Sequence, residues 1–477
     1  MDFGIDFGTT NSACVGIIQK RRAVKFSDDF GFPFPSLIMI DQTSGKVYSG
    51  RKAWRNREEY SQSCEVIPSI KSHLGTDKTW TIAGRVWTPE MVAAEILLGL
   101  KEQVVKKRGG DNIIEAVIAI PVGFSPQKRV ALRKAAILAG IKIKSFVSEP
   151  TAALFCHYEQ VGHHSKIAVF DWGGGTLDIA IVENRHGKIK ELATGGLSLG
   201  GDDIDMKLAL WAHNEIIVKK GAKVSFDQML PSDRDKLIAS CEQAKRELSI
   251  DDRTEIRIWK YGELGEVSVS VDIDTFVKLI QYDVQKAIGC FDDCLKQARI
   301  GLEEVECILM VGGSVNLRPF SEKVSKLWRG KPIYPSDSDW SVAMGAANLS
   351  LQPGQYVSAQ TIGVTMSDGS PYPLINEGET ISFGDEFQTT FAVVEDTPTA
   401  NFIFSDLNGK SLGYLNVPSF GFFKEKIDLN CHVDSDLIFN VDAKSQRRSD
   451  SSSRTWAYTG LRLNYQLPVE LKVTGDD

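Results

Sequence analysis

The 477-residue chain lacks the features that mark several large classes of protein. Its eight cysteines include no CxxC pair of the kind that zinc sites use, and Cys290 and Cys294 share only a helix-like stretch. The formal net charge of -7 argues against the basic face that nucleic-acid-binding proteins normally present. We therefore predict a cytoplasmic protein with reduced thiols and no nucleic acid partner.

Long apolar runs are also missing. The N-terminus opens as Met1-Asp2-Phe3-Gly4-Ile5-Asp6, without a basic segment followed by an apolar one, so we expect no secretory signal. Glu95 interrupts the most membrane-like stretch, 91–100, which is far shorter than a membrane span. A soluble chain without a membrane partner is predicted. Its length predicts roughly two to four structural units.

Up to about Leu351, strand-like runs alternate with helix-like ones, which is typical of an α/β architecture. Thr88-Pro89 predicts a helix start, and a strand over 116–120 is followed by a helix that begins at Ser125-Pro126. The first of these helices has an apolar stripe formed by Val92, Ile96, Leu100 and Val104.

From about Val357 the pattern changes to short alternating runs, such as 387–393 and 427–433, which predict an antiparallel sandwich or barrel. Pro353-Gly354 is typical of a linker, and the polar stretch between Lys444 and Arg454 predicts a mobile loop. The predicted domains are an α/β domain over 1–352, a linker over 353–358 and an all-β domain over 359–477.

A strand–turn–strand unit rich in small residues occurs twice. The first strand ends at Asp6, and after a small-residue turn the chain returns from Ala13. The second, 167–170, ends at Asp171, and after the turn 173–176 the chain returns over 177–182. This repeat predicts two related halves that face each other.

Each turn is predicted to bind phosphate. Small residues let phosphate oxygens approach backbone N–H groups, and the hydroxyls of Thr9, Thr10 and Thr176 add donors. Asp6 and Asp171 are placed to hold the water shell of Mg²⁺. A single hairpin of this kind usually only reverses the chain, so the hypothesis depends on the pair.

The motifs around these turns resemble those of the actin-like ATPase superfamily, and specifically the seventy-kilodalton heat-shock chaperone family. The resemblance implies an actin-like ATPase domain of two duplicated lobes around a nucleotide cleft, followed by an all-β sandwich domain. It also implies ATP or ADP and Mg²⁺ as ligands, with K⁺ as a further candidate ion. The motifs that carry it, in chain order, are 6–12, 70–75, 148–153, 170–178, 199–203, 241–246 and the adenosine loop 311–314.

The resemblance also implies roles for individual residues. Lys71 would position the γ-phosphate and the attacking water, and Glu149 and Asp171 would order metal and solvent. The catalytic set is Lys71, Glu149, Asp171 and Thr176, and the metal set is Asp6 and Asp171. The nucleotide-binding set is Gly8, Thr9, Thr10, Asn11, Gly173, Gly174, Gly175, Gly200, Gly201, Glu242, Lys245, Arg246, Ser249, Gly312, Gly313, Ser314 and Asp339.

Plainer interpretations stay open for several of these residues. Lys71 taken alone is a solvated surface lysine, and Glu149 is a charge at a helix N-terminus. Pro121 and Arg129 resemble the family's nucleotide-sensing relay pair, but a strand terminator and a surface arginine are the alternatives. Phe391 falls at a hydrophobic cleft position of the family and is equally typical of a sandwich core.

The sequence also departs from the family pattern. The linker lacks the family's acidic, leucine-rich character, and we expect no helical lid, so a bound peptide would dissociate quickly. Asn316 stands where the family has an arginine that stacks on adenine, which predicts weaker nucleotide binding. Leu437 replaces a turn glycine, which predicts a different hairpin geometry.

The leading functional hypothesis is a chaperone-like ATPase that couples its nucleotide state to the binding of unfolded or extended polypeptide by the C-terminal sandwich. A J-domain co-chaperone and a nucleotide exchange factor are further partners that the resemblance implies. One alternative is a nucleotide-gated scaffold or regulatory protein with weak ATPase activity. Another is a small-molecule kinase of the same superfamily.

Overall fold

The computed structural model of the protein describes residues 1–19, 22–57, 60, 63–185, 188–351, 355–394, 397–421, 423–449 and 452–466. The chain divides into two compact units. The first combines Met1–Glu183 with Leu192–Gln352, and the second combines Asn184–Glu191 with Pro353–Lys472. The predicted linker residues Pro353 and Gly354, and part of the predicted loop 444–454, lie outside the described residues.

The first unit mixes helices and strands. Its helices are α1 (Gly50–Asn56), α2 (Pro89–Arg108), α3 (Pro126–Leu138), α4 (Glu149–Cys156), α5 (Tyr158–Val161), α6 (Gly201–Lys220), α7 (Pro231–Glu247), α8 (Ile273–Ala298), α9 (Arg318–Leu327) and α10 (Ser338–Leu351). The strands up to residue 311 are β1 (Asp2–Asp6), β2 (Asn11–Ile18), β3 (Arg22–Lys25), β4 (Phe34–Pro35), β5 (Leu37–Asp41), β6 (Val47–Ser49), β7 (Cys64–Pro68), β8 (Trp80–Ile82), β9 (Arg85–Trp87), β10 (Glu115–Ile120), β11 (Lys142–Ser148), β12 (Lys166–Trp172), β13 (Leu177–Arg185), β14 (Lys188–Leu197), β15 (Arg253–Ile258), β16 (Val267–Asp272) and β17 (Cys307–Val311).

The repeated hairpin is present in two sheets of the first unit. β1 pairs antiparallel with β2 and parallel with β10, in a sheet with the order β11-β10-β1-β2-β3. β12 pairs antiparallel with β13 and parallel with β17 in the same way. Each sheet has its own apolar core, one containing Ile5 and Ile118 and the other Phe170 and Ile308. The two turns that are predicted to bind phosphate therefore follow equivalent strands of the two sheets.

Helix starts in this unit are as predicted. Thr88 caps α2 and its hydroxyl accepts a hydrogen bond from the Met91 N–H at 3.4 Å, while Ser125 caps α3. The residues of the predicted apolar stripe on α2 are all buried. One strand end differs: β12 continues past Asp171 to Trp172. The Trp172 indole lies in the core and donates to the Leu199 carbonyl at 3.0 Å, which holds the strand extended.

The second unit is built from strands. They are β18 (Gln355–Ser358), β19 (Ile362–Thr365), β20 (Pro371–Ile375), β21 (Thr380–Ile381), β22 (Glu386–Ala392), β23 (Thr399–Ser405), β24 (Ser411–Pro418), β25 (Lys426–Val433), β26 (Phe439–Ser445), β27 (Arg454–Tyr458) and β28 (Leu463–Gln466). Two antiparallel sheets, β20-β19-β23-β24 and β22-β25-β26-β27, share one apolar core. Within the described residues neither sheet closes into a barrel. Residues 355–358 of the predicted linker form β18, which pairs with β21 and β28.

The sequence predicts an altered hairpin geometry at Leu437, which replaces a turn glycine, but Leu437 adopts a backbone conformation typical of glycine. Leu437 has a φ of 63°, the left-handed conformation that glycine favours. The Asp434 carboxylate accepts hydrogen bonds from the Asp436 and Ile438 N–H groups at 2.9 and 3.0 Å. This carboxylate holds the turn closed, so leucine adopts a backbone that is ordinarily glycine's.

Two further observations concern the chain as a whole. Among the helices of the described ranges, none has both the length and the apolar character needed to cross a bilayer. All eight cysteines are free thiols.

Candidate active site

The two glycine-rich turns contact each other. A Cβ atom added at Gly174 would lie 2.2 Å from Thr10 Oγ1, and one added at Gly175 would lie 2.7 Å from Thr9 Oγ1. Any side chain at these glycines would have to separate the turns. The glycines therefore allow the close approach of the two hairpins.

Hydrogen bonds fix the second turn in place. The Gly173 carbonyl accepts from the Gly201 N–H at 3.0 Å and from Ser314 Oγ at 2.9 Å. Thr10 Oγ1 donates to the Asp202 carboxylate at 3.0 Å, which joins the first turn to the start of α6. Residues from four separate motifs, 6–12, 170–178, 199–203 and 311–314, are thereby brought to one place.

Lys71 and Glu149 form a buried ion pair. Lys71 lies on a short 3₁₀ turn, Ile70–His73, and its Nζ donates to Glu149 Oε1 at 2.6 Å. Glu149 is the first residue of α4, whose cap is Ser148. Lys71 is only 5% exposed and Glu149 6% exposed, so the solvated-lysine interpretation of Lys71 is wrong.

Several other carboxylates lie close to this ion pair. Burial and the neighbouring Glu149 raise the pKa of Asp6 to about 7. Burial, with Glu149 and Asp6, raises the pKa of Asp171 well above its ordinary value. Burial opposes the charged form of Lys71, but the Glu149 and Asp6 carboxylates raise its pKa, so the ammonium stays protonated.

Asp178 belongs to the same cluster, although the sequence motif that contains it gives it no separate role. It pairs with Asp171 across the β12–β13 hairpin. Its Oδ1 accepts from the Val122 N–H at 2.8 Å, and burial and Glu149 raise its pKa to about 7. The signal that could have found it is hairpin register, because residues paired across a hairpin lie side by side.

The cluster fits a hydrated cation. Four acidic side chains, Asp6, Glu149, Asp171 and Asp178, surround a single lysine, and Asp178 Oδ2 is buried without a hydrogen-bond partner. A cation would relieve their mutual repulsion. Across the described ranges, no three His, Cys, Asp or Glu side chains already form a direct metal-binding group. Mg²⁺ suits this arrangement because it keeps several of its waters.

The two predicted relay residues have different surroundings. Pro121 directly precedes Val122, whose N–H binds the Asp178 carboxylate. Arg129 is buried, and its Nη1 donates to the Phe124 carbonyl at 2.8 Å. The surface-arginine interpretation is therefore wrong, and the relay role stays a prediction.

The residues predicted on α7 divide into two groups. Lys245 points towards α6, where its Nζ donates to Asp205 Oδ2 at 2.7 Å and to the Gly201 carbonyl at 3.1 Å. Arg246 pairs with Glu242 at 2.6 Å on an exposed face of the helix. Only Lys245 is joined to the turn region by these bonds. Asp205, its buried partner, has no signal in the sequence.

Comparison with known proteins gives a family for this chain. The family model described as Hsp70 protein matches residues 78–457. The chain is 30% identical over 468 residues to Chaperone protein DnaK of Mycoplasma mobile, an alignment that covers 93% of this chain and 76% of that protein. The chain belongs to the Hsp70 family. Membership implies an actin-like ATPase domain followed by a β-sandwich, and the two units agree with that composition. The expected lack of a lid stays a prediction.

The loop after β17 contains three residues of the predicted nucleotide set, Gly312, Gly313 and Ser314. Gly312 has a φ of 85°, and a Cβ there would lie 2.4 Å from the Trp172 carbonyl oxygen. Asn316, the departure from the family's arginine, is exposed, and its Nδ2 donates to the Gly313 carbonyl at 3.3 Å. Asp339, in the first turn of α10, is close enough to Asp6 to raise its pKa.

The remaining predicted residues lie on the turns, at the N-cap of α6 or just after α7. A Cβ at Gly8 would lie 1.9 Å from the Asn11 carbonyl oxygen, and one at Gly200 would lie 2.0 Å from the Gly174 carbonyl oxygen. The Thr176 hydroxyl hydrogen-bonds Asp178, and Ser249 Oγ donates to the Lys245 carbonyl at 3.3 Å.

Proposed function

We propose that this Hsp70-family chain is a chaperone-type ATPase that hydrolyses ATP to ADP and phosphate at the Asp6 and Asp171 hairpins. The two sheets that carry these hairpins would form two lobes around a nucleotide cleft. The observation that carries the proposal is the cluster of acidic side chains around Lys71, beside two glycine-rich turns in mutual contact. The similarity to Chaperone protein DnaK of Mycoplasma mobile supports it.

The site would act by positioning and by charge. Bound Mg²⁺ would supply positive charge to the phosphates, with Asp6 and Asp171 holding its water shell. Lys71, kept protonated by Glu149 and Asp6, adds a second positive charge and orients the γ-phosphate. Glu149 and Asp171 accept hydrogen bonds from the attacking water. Phosphoryl transfer to water needs this alignment more than it needs covalent help.

The same residues would bind the nucleotide. The turns offer the backbone N–H groups of Gly8–Asn11 and Gly174–Thr176 and the threonine hydroxyls to the phosphates, while the Gly173 N–H donates to the Thr176 carbonyl at 3.0 Å. The adenosine would lie towards Glu242, Lys245, Arg246, Ser249, Gly313, Ser314 and Asp339. K⁺ is a further candidate for the acidic cluster.

The second unit would bind extended polypeptide. Among the residues that the structure describes, β22 is an edge strand of its sheet, and an edge strand can pair with an added strand. Phe387 on this strand is exposed. Phe391 is half-buried and makes edge contacts with the rings of Tyr372 and Phe402 at 5.2 and 5.6 Å, so both the core and the cleft interpretation stay open. A J-domain co-chaperone and an exchange factor are further proposed partners.

Two measurements test the proposal. Phosphate release is followed with and without a saturating unstructured peptide, and peptide affinity is measured by fluorescence anisotropy with ATP, ADP and no nucleotide. We expect the peptide to change the turnover rate and ATP to weaken peptide binding. Lys71→Ala should abolish turnover while calorimetry still detects ATP binding.

The alternatives give different results. Nucleotide binding with no turnover and equal peptide affinity in all states would favour a nucleotide-gated scaffold. Transfer of phosphate to a metabolite would favour a kinase. No heat of ATP association with folded protein would overturn the whole proposal.

A further inference from the structure

Two cysteines lie together on one face of α8, outside the site described above. Cys290 and Cys294 are one helical turn apart, and their thiols are hydrogen-bonded to each other. Gly195 of β14 covers them, since a Cβ there would lie 2.6 Å from Cys294 Sγ and 3.2 Å from Cys290 Sγ. Cys294 is buried, whereas Cys290 is half-buried. The pair is therefore a dithiol with one accessible member.

The two thiols differ in character. The hydrogen bond from Cys294 lowers the pKa of Cys290, against the opposing effects of burial and of Asp178 and Asp293. The same bond, together with burial, raises the pKa of Cys294. Because the thiolate is the reactive form of cysteine, Cys290 is the nucleophile and Cys294 its hydrogen-bond donor.

Both cysteines line a cavity of about 540 Å³, a volume typical of small-molecule sites, and Cys290 is the more exposed of the two. The segment Gly195–Leu199 forms one wall, and Lys286, Gly289 and Asp293 of α8 form another. No atom lies within 4 Å of a Cβ built on Gly289, so the space beside Cys290 is open. An ammonium and a carboxylate line the same cavity, which suits a zwitterionic ligand.

We propose that this cavity is a thiolation site, where Cys290 forms a mixed disulfide with a zwitterionic low-molecular-weight disulfide of the glutathione class. The Cys290 thiolate attacks one sulfur of the small disulfide, whose sulfur–sulfur bond breaks as the new one forms. The Cys290 sulfur is oxidised, and the departing half leaves as a thiolate and takes up the proton that Cys290 lost.

The mixed disulfide is the expected end product. Residues four apart on a helix have Cβ atoms about 5–6 Å apart. A disulfide needs a Cβ separation of about 3.5–4.5 Å. Cys294 would have to distort α8 to displace the small thiol, so the adduct on Cys290 should persist.

The site is close to the acidic cluster. Gly195 covers the dithiol, and a Cβ at the next residue, Gly196, would lie 3.2 Å from Asp178 Oδ1. A bulky adduct on Cys290 therefore presses on the strand segment that lies against Asp178. We infer slower ATP hydrolysis on thiolation, a consequence that rests on the proposed function.

Mass spectrometry tests the modification itself. The reduced full chain is incubated with oxidised glutathione, and adducts are located by peptide mapping. We expect one adduct, on Cys290, that a reducing agent removes. Cys290→Ser should abolish it and Cys294→Ser should slow its formation several-fold. Cys156→Ser, a change at another half-buried cysteine, is the control and should leave it unchanged.

Several outcomes would overturn the inference: no adduct, an adduct on another cysteine, or an internal Cys290–Cys294 disulfide. Equal thiolation rates in Cys294→Ser and the parent chain would show that Cys294 does not assist the reaction of Cys290.

Phosphate release before and after thiolation tests whether the adduct slows ATP hydrolysis. Turnover should fall several-fold in the parent chain but not in Cys290→Ser. A thiolated chain with unchanged turnover would remove the link to Asp178. Inactivity of the reduced chain would count against the proposed function alone, because peptide mapping still decides the modification.

Discussion

Lys71 Nζ lies 2.6 Å from Glu149 Oε1, and both side chains are less than a tenth exposed. Loss of Lys71 would leave the buried Glu149 carboxylate with neither solvent nor counter-charge, beside the other acidic side chains of the cluster. The cost of breaking a buried pair in this way is about 3–5 kcal/mol.

Lys71→Met should lower the free energy of unfolding by about 3 kcal/mol, measured by urea denaturation. Adding Glu149→Gln should recover most of that loss, because the unpaired carboxylate is removed, while turnover stays abolished. Lys106→Met is the control, since Lys106 and Asp29 form an exposed pair worth about 0–1 kcal/mol. A double variant no more stable than Lys71→Met would contradict this account.

The glycines of the second turn should respond differently to alanine. Gly174→Ala places a Cβ 2.2 Å from Thr10 Oγ1, so we expect both a lower unfolding free energy and weaker ATP binding. Gly173→Ala meets no atom within 4 Å and should leave stability unchanged. Thermal denaturation and calorimetry check both variants. Equal stability losses at the two positions would show that the turn contact is not the cause.

Asp178 should make the nucleotide-free protein less stable as the pH rises. Its pKa is raised from 3.8 to about 7, so between these values the unfolded chain has lost a proton that the folded chain keeps. Stability from this group is therefore greatest at low pH and is lost as the pH approaches 7. Asp178→Asn cannot ionise, and its amide oxygen can still accept from the Val122 N–H.

The melting temperature of Asp178→Asn relative to the parent chain gives the measurement. The variant should melt several degrees higher at pH about 8, and this advantage should shrink towards pH about 4. An advantage of the same size at both pH values would mean that the effect does not come from ionisation.

Substitutions of Lys245 and Arg246, two neighbouring basic residues of α7, should have different effects on stability and on nucleotide binding. Lys245→Met leaves Asp205 buried and unpaired, so we expect a loss of about 3 kcal/mol in unfolding free energy. Arg246→Ala removes an exposed pair and should change stability by no more than about 1 kcal/mol, while ADP affinity falls. Unchanged ADP affinity in Arg246→Ala would remove that residue from the adenosine site.

Asn316→Arg should strengthen nucleotide binding. An arginine at this exposed position can stack on a base, a contact worth about 0.5–1 kcal/mol, which corresponds to a two- to fivefold lower Kd. Calorimetry with ADP measures the change, and Asn316→Gln, which adds length without charge, is the control. Equal ADP affinity in Asn316→Arg and Asn316→Gln would show that the adenine base does not lie beside residue 316.

Sequence patterns predicted the structure correctly where local geometry alone determines it. Thr88-Pro89 predicts the start of α2, and the repeated hairpins are present with matching strand pairings. Patterns could not supply contacts between distant segments, such as Thr10 with Asp202 or Lys245 with Asp205, because nothing in either segment specifies its partner. They also did not predict the left-handed backbone of Leu437, because that conformation depends on hydrogen bonds to the Asp434 carboxylate.

The contact between the two turns also limits how this sequence can change. Thr9 faces Gly175 and Thr10 faces Gly174 at distances that leave no room for an extra carbon. A larger residue on one turn is tolerable only when the opposite threonine becomes smaller. Mutational libraries that vary these four positions together should return matched pairs, whereas libraries that vary them singly should return almost nothing but the parent residues.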